Sequence, residues 1–154
     1  MERVDVVYSF AEENGDILMV KNKKNQSWTL PGGKVEAGES LTEAAAREMK
    51  EETGYGIQPL DILAVNEAVI SSEHVYFIVF RARITDRPDA ITFDENIVEA
   101  KWVPLHEADR LLSVFHPNGI MHWLNREGAE YHHEGKNNRK NKKYIATSVR
   151  SMII

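Results

Sequence analysis

Three glutamates, Glu48, Glu51 and Glu52, crowd into the stretch Arg47-Glu48-Met49-Lys50-Glu51-Glu52-Thr53-Gly54. Like charges at helical spacing repel one another, and desolvated carboxylates are costly unless paired or bound to a metal. A divalent cation carrying a phosphate substrate would account for the crowding. An ordinary solvated acidic face is the competing reading. Arg47 lies four residues from both Glu43 and Glu51, the spacing at which an ion pair softens such repulsion. The residues upstream tip the balance. Trp28 to Ser40 read WTLPGGKVEAGES, punctuated by Gly32, Gly33 and Gly38. A glycine-rich strand-to-helix loop offers backbone carbonyls to a metal and backbone amides to oxyanions. Because the cluster contains only oxygen donors, the metal it suits is magnesium or manganese.

These groups need a helix and a strand-bounded loop to hold them. Ser40 followed by Glu43 is a capping-box pair, so a helix is expected to start there; it should run to about Thr53, with Gly54 as its stop. Leu41, Ala44 and Ala45 form one stripe of that helix, and its continuation meets Glu48, Glu51 and Glu52. Glu43, Ala46, Arg47, Lys50 and Thr53 are expected on the outward face. A core stripe that turns acidic in its last two turns is the reverse of a plain amphipathic helix. It also sets acids at a helix C-terminus, where the dipole favours cations.

Around this helix the sequence alternates in strand-like runs. Strands are expected at 4–10, 17–20, 61–70, 74–84 and 97–105, with a short strand near Trp28. The Asn14-Gly15 pair favours a hairpin between the first two. The run at 74–84 is apolar on both alternating faces, as in a central strand covered on both sides. Helices are expected at 106–114 and 119–126, and the segment 85–96 reads as an acidic loop.

Composition sets the outer limits. The chain has 154 residues, enough for one domain with a short extension, and it is 42% hydrophobic and 28% charged, as globular domains are. A formal net charge of −5 excludes bulk electrostatic binding to nucleic acid or an anionic membrane. The absence of cysteine excludes disulfides, zinc–thiolate sites and thiol catalysis. No apolar run reaches membrane-span length, and the first ten residues lack a signal-peptide layout. A cytoplasmic location is the expectation.

Read from Gly33, the sequence gives glycine, five residues, Glu39, seven residues, and then Arg47-Glu48-Met49-Lys50-Glu51-Glu52-Thr53-Gly54-Tyr55. This resembles the Nudix box, G-x5-E-x7-R-E-U-x-E-E-x-G-U, where U is a bulky aliphatic residue. All seven polar and glycine positions match. Tyr55 departs from the aliphatic pattern, and Met49 fits it. The resemblance extends loosely from about residue 3 to 106 and implies an α/β fold, an α/β/α sandwich around a mixed sheet.

It also implies an enzyme of the MutT type that hydrolyses a pyrophosphate bond in a nucleoside diphosphate linked to another group, using magnesium or manganese. On that reading Glu48, Glu51, Glu52 and the Gly32 carbonyl are metal ligands. Arg47 orients the carboxylates and Glu39 supports the loop. The general base is Glu52, Glu51 or an acid after the box, for which Glu95 and Glu99 are the candidates. Lys34 can touch a phosphate. Arg81 interrupts the apolar central run and either binds phosphate or pairs with an acid. Trp28 either stacks on a base or packs.

The substrate is narrowed by elimination. Position 71, about sixteen residues beyond the box, holds serine where ADP-ribose pyrophosphatases of the family tend to carry proline. Tyr76 lies too far along for a dinucleoside-polyphosphate signature, and no coenzyme A signature is present. A nucleoside triphosphate pyrophosphatase of mutator type is therefore favoured. The alternatives are an RNA 5′-pyrophosphohydrolase and a non-catalytic nucleotide-sensing module. A membrane partner is not expected, and nucleic acid is expected only as a 5′-triphosphate RNA substrate.

Domain boundaries are expected at 1–128 for the Nudix unit and 129–154 for an extension. In the extension a basic loop, 134–143, precedes an alternating segment, 144–153. That segment is expected to dock on the protein's own sheet edge or on a second protomer, as in a homodimer.

Overall fold

The computed structural model describes residues 1–135. The expected basic loop beyond Gly135 and the docking segment 144–153 lie outside the described residues.

The described residues form seven strands and two α-helices: β1 (Glu2–Glu13), β2 (Asp16–Asn22), β3 (Trp28–Thr29), β4 (Gly32–Lys34), α1 (Leu41–Thr53), β5 (Gly56–Ile70), β6 (Glu73–Asp86), β7 (Ile97–Pro104) and α2 (Leu105–Leu111). The strands run β3-β2-β1-β6-β5, with β4 added to β1 and β7 to β2. β1 and β6 pair in parallel, while every other pair is antiparallel, so the sheet is mixed. The Asn14-Gly15 turn joins β1 to β2 as expected, both residues having positive φ. β6 lies between β1 and β5, the central place its two apolar faces called for.

Each sheet face has its own helix and core. On one face Ala44 and Ala45 of α1 pack with Val7, Ile78 and Phe80, and Met49 packs with Ala11, Leu18 and Tyr55. On the other, Ala108 of α2 and Leu112, Ile120 and Trp123 beyond it enclose Phe10, Ile17, Met19 and Val79. The result is the expected α/β/α sandwich.

Three local expectations are corrected. β5 begins at Gly56, not at 61. Its first half contains Pro59 and several register shifts, which an edge strand tolerates because one side of its backbone needs no partner. The helix expected at 119–126 is a single 3-10 turn at Met121–Leu124. Its entry is set from outside, by Asp109 Oδ1 accepting the Ile120 amide at 2.7 Å. Thr53, expected outward, is fully buried, and its hydroxyl donates to the Met49 carbonyl at 2.7 Å. The chain turns inward there because Gly54 takes the left-handed conformation (φ 83°) that ends α1.

Candidate active site

α1 packs its last turns against the sheet, where Glu52 reaches the Gly32 amide of β4. Ser40 and Glu43 form the reciprocal capping box, and the Gly54 amide donates to the Lys50 carbonyl at the other end. Between these fixed ends the helix buries Ala44, Ala45, Met49, Glu52 and Thr53. A buried glutamate on a core stripe is the anomaly that the sequence pattern pointed to.

Glu52 is 6% exposed. Its Oε1 accepts the Gly32 amide of β4 at 2.8 Å, and among the described residues no cationic side chain pairs with it. Burial pushes its carboxyl up to about 8, and the neighbouring charges of Glu48, Asp94 and Glu51 push in the same direction. Burial also raises Glu48, against the pull of Arg47. Glu51, expected on the inward stripe, keeps about half its side chain, 47%, in solvent.

Arg47 gathers the rest of the cluster. It donates to Glu39 Oε2 at 2.6 Å and Oε1 at 2.9 Å, a bidentate pair. Its other contacts are Glu48 at 3.0 Å, Glu51 at 3.2 Å and the Lys34 carbonyl at 3.0 Å. The bonds from Arg47 hold Glu39 below the ordinary glutamate range. Glu39 in turn accepts the Glu36 amide at 2.9 Å, which ties the loop to the helix through one guanidinium.

The donor set fits a hard divalent cation. It offers carboxylate oxygens without sulfur or nitrogen, and one of those carboxylates is buried without a counter-charge. Among the described residues no three acidic or imidazole groups converge into a finished cage. Arg47 instead holds Glu48 and Glu51 at the mouth of the site.

The site borders a cavity. Tyr8 lies close enough that Glu52 and Glu48, after burial itself, push its hydroxyl up. The same ring lines a cavity of about 460 Å³ with Leu30, Phe77, Val79, Leu112 and Phe115, where Asn66 and His116 are among the polar groups. Tyr8 and Phe77 stack nearly parallel, at 10° and 6.3 Å between centroids. An apolar slot with a flat aromatic wall suits a planar ring.

The other expected site residues separate. Lys34 is 70% exposed and its Nζ lies 3.8 Å from Glu73. Glu95 and Glu99 are both exposed, Glu99 opposite Lys21 on β7. The carboxylate of that region whose charge reaches Glu48 and Glu52 is Asp94, which the sequence reading passed over. Trp28 packs at the edge of the α2-side core with Lys101 Nζ 4.8 Å above its ring, and it does not line the cavity. Arg81 is committed elsewhere: to Asp61 at 2.9 Å and to the carbonyls of Trp123 and Arg126. Only a three-dimensional fold reveals Tyr8, Phe77 and Asp94 as neighbours of the glutamates.

Comparison with known proteins bears on the whole. The model of the NUDIX domain matches residues 1–124. The 8-oxo-dGDP phosphatase of Mus musculus is 35% identical over 107 residues, which make up 64% of this chain and 31% of that protein. A putative ADP-ribose pyrophosphatase of Bacillus subtilis (strain 168) is 37% identical over 89 residues, 54% of this chain and 42% of that protein. The chain thus spans less than half the length of these relatives. A solved structure of a NUDIX hydrolase from Nitrosomonas europaea superposes with a TM-score of 0.71 at 20% identity, covering 88% of this chain and all of that one. It shares the fold. No helix among the described residues is long and apolar enough to cross a membrane.

Proposed function

The chain belongs to the NUDIX family, and on that footing we propose that it hydrolyses a pyrophosphate bond in a nucleoside diphosphate linked to another group, a nucleoside triphosphate being the preferred substrate. The observation that carries the reading is the buried Glu52 carboxylate, paired with no cation and set beside an aromatic-walled cavity. A phosphate chain bound across Glu48 and Glu52 would leave its nucleoside free to enter the slot beside Tyr8 and Phe77.

NUDIX hydrolases generally use divalent metals. Glu48, Glu51 and Glu52, with the Gly32 carbonyl, would hold one here, and it would neutralise phosphate oxygens as water attacks phosphorus. The chain's own residues do the rest. Arg47 fixes the rotamers of Glu39, Glu48 and Glu51. The Gly32 amide orients Glu52. The proton of the attacking water must pass to a carboxylate. Glu51, half in solvent, can release it to bulk, and the charge of Asp94 acts on Glu48 and Glu52. The relatives' names, one a nucleotide phosphatase and one an ADP-ribose pyrophosphatase, support this chemistry and leave the leaving group to experiment.

A panel of nucleoside triphosphates, ADP-ribose, triphosphorylated RNA and simple phosphomonoesters, run with magnesium or manganese and resolved by chromatography, tests the proposal. Release from pyrophosphate linkages, absent with phosphomonoesters and abolished by chelator, is the expected result. Robust turnover in excess chelator, or nucleotide binding without any turnover, would overturn it.

A further inference from the structure

Of the two tasks open to the central-strand arginine, binding phosphate or pairing with an acid, the fold shows the second. Arg81 faces the α2 side of the sheet, with its side chain 25% exposed. Its Nε and Nη2 donate to Asp61 at 2.9 and 3.3 Å, its Nη1 to the Trp123 carbonyl at 2.5 Å and its Nη2 to the Arg126 carbonyl at 2.6 Å. Asp61 also accepts the Gly128 amide at 2.6 Å. Next to it, Ile62 and Ala129 exchange two backbone bonds of 2.8 and 2.9 Å. One ion pair therefore pins three points of the irregular segment 123–128 to the sheet.

That segment supports a wall of the cavity. Trp123 is buried and meets Phe10 edge-on at 5.1 Å and His116 at 4.8 Å. His116, with Leu112 and Phe115, lines the cavity beside Tyr8 and Phe77. On its open side the same wall is fastened by a side-chain bond from Asn66 Nδ2 to the Phe115 carbonyl at 3.0 Å. Beyond α2 the described backbone is a series of turns and one four-residue 3-10 turn, and side-chain clamps add to these local bonds in tying it to the sheet. We propose that Arg81 and Asp61 are positioning residues for the nucleoside slot: they hold Trp123, which holds His116 and the Leu112–His116 wall, and they touch neither the phosphates nor the glutamate cluster.

This inference rests on the slot being where the nucleoside binds, so the test separates the two ideas. Full-length Arg81→Lys and Asp61→Asn are compared with wild type, using dGTP and magnesium for kinetics. Peptide-level hydrogen exchange is followed without nucleotide. Both variants should raise KM by about fivefold or more while kcat stays within about twofold, the pattern of lost binding common to ground and transition states. Exchange should quicken across 112–128 and remain unchanged across α1. Arg81→Lys keeps the charge but loses the fork of donors, so it should lose nearly as much as Arg81→Gln if the fork matters. Unchanged exchange across 112–116, or a fall in kcat at constant KM, would overturn the assignment. A wild type inactive on every nucleotide would sink the hydrolase reading alone, and the exchange measurement would still decide whether the clamp holds the wall.

Discussion

The two faces of the sheet solve opposite problems. The α1 face concentrates charge: four carboxylates, Glu39, Glu48, Glu51 and Glu52, and one arginine gather within a loop and two helical turns, and Glu52 is buried with no counter-ion among the described residues. The α2 face borders a cavity whose lining is mostly apolar, with Glu67 and His116 among its polar groups, and it carries the Arg81–Asp61 ion pair in a clamp behind the wall. The first arrangement is held by helix capping and one guanidinium, the second by side chains bonding to an irregular backbone. Fixed charge suits chemistry on phosphates. A mostly apolar wall, fixed by its clamps, suits selection among the groups attached to them.

The sharpest way to break the contrast is to remove the buried charge. Glu52→Gln keeps the shape of the side chain and removes its charge. It should lower kcat by about 10³-fold or more, because a cation ligand and its electrostatics disappear together. Steady-state kinetics beside circular dichroism would check this, and a folded variant with normal kcat would show that the α1 face is not the reactive one.

The next effect comes from backbone that side chains must not occupy. A methyl on Gly33 would stand 2.5 Å from Glu48 Oε1, the movable end of a side chain. A methyl on Gly32 would stand 2.0 Å from the Val7 carbonyl, which is strand backbone. Gly33→Ala should therefore fold and lose about 10- to 100-fold in kcat/KM as Glu48 swings away. Gly32→Ala should lose stability first. If thermal melts rank them the other way, the two glycines have been given the wrong tasks.

These residues also show where the sequence was legible. The cap, the stop at Gly54 and the box spacing are local, so the α1 face could be read almost complete. Thr53 departs from a straight helical wheel because the chain turns inward at Gly54, and Glu51 because it lies at the edge of the inward stripe, about 80° from Leu41 at roughly 100° per residue. Long-range partners were opaque. Arg81 finds Asp61 twenty residues back and carbonyls 42 and 45 residues on, and nothing local encodes that. Asp94 lies next to Glu95 in sequence, but the choice between them depends on how the acidic loop packs. Pro88 and Thr92 sit against Gly54, where a methyl would come within 3.1 Å of both. The slot itself joins β1, β5, β6 and the segment after α2, which no short window contains.

A smaller effect follows from the acid–base balance of the α1 face. Without metal, Glu52 titrates near 8 in the folded protein and near 4.3 when unfolded. Its folded pKa is raised, so the stability it contributes is complete below the unfolded value and is lost as pH rises toward 8. In chelator, wild type should be roughly 2 kcal/mol less stable at pH 7.5 than at pH 5.5, relative to Glu52→Gln. Denaturant titrations at the two pH values measure the difference. Parallel pH profiles for the two proteins would mean that Glu52 carries no such strain.

The smallest effect sits where the two faces meet. Lys34 gives its carbonyl to Arg47, so its backbone belongs to the charged face. Its side chain does not. Lys34 is opposite Val6, Val6 opposite Phe77, and Phe77 opposite Asn66. Residues opposite one another across a sheet share a face, so Lys34 stands in the same row as two residues that line the slot. Among the described residues its ion pair is a 3.8 Å contact with Glu73, and at 70% exposure that contact contributes little. If the proposed nucleotide lies in the slot, its phosphates would pass within reach of this ammonium. Lys34→Ala leaves the carbonyl in place, so the Arg47 network and kcat should be unchanged. KM for a triphosphate should rise by about threefold at low salt, and the difference should fade by about 0.3 M salt, where screening shortens the reach of an exposed charge. A loss in kcat would instead mean that the backbone of β4 had shifted and that the two faces are coupled through it. A KM equal to wild type at low salt would make Lys34 a solvated lysine, with the boundary between the faces carrying no charge of its own.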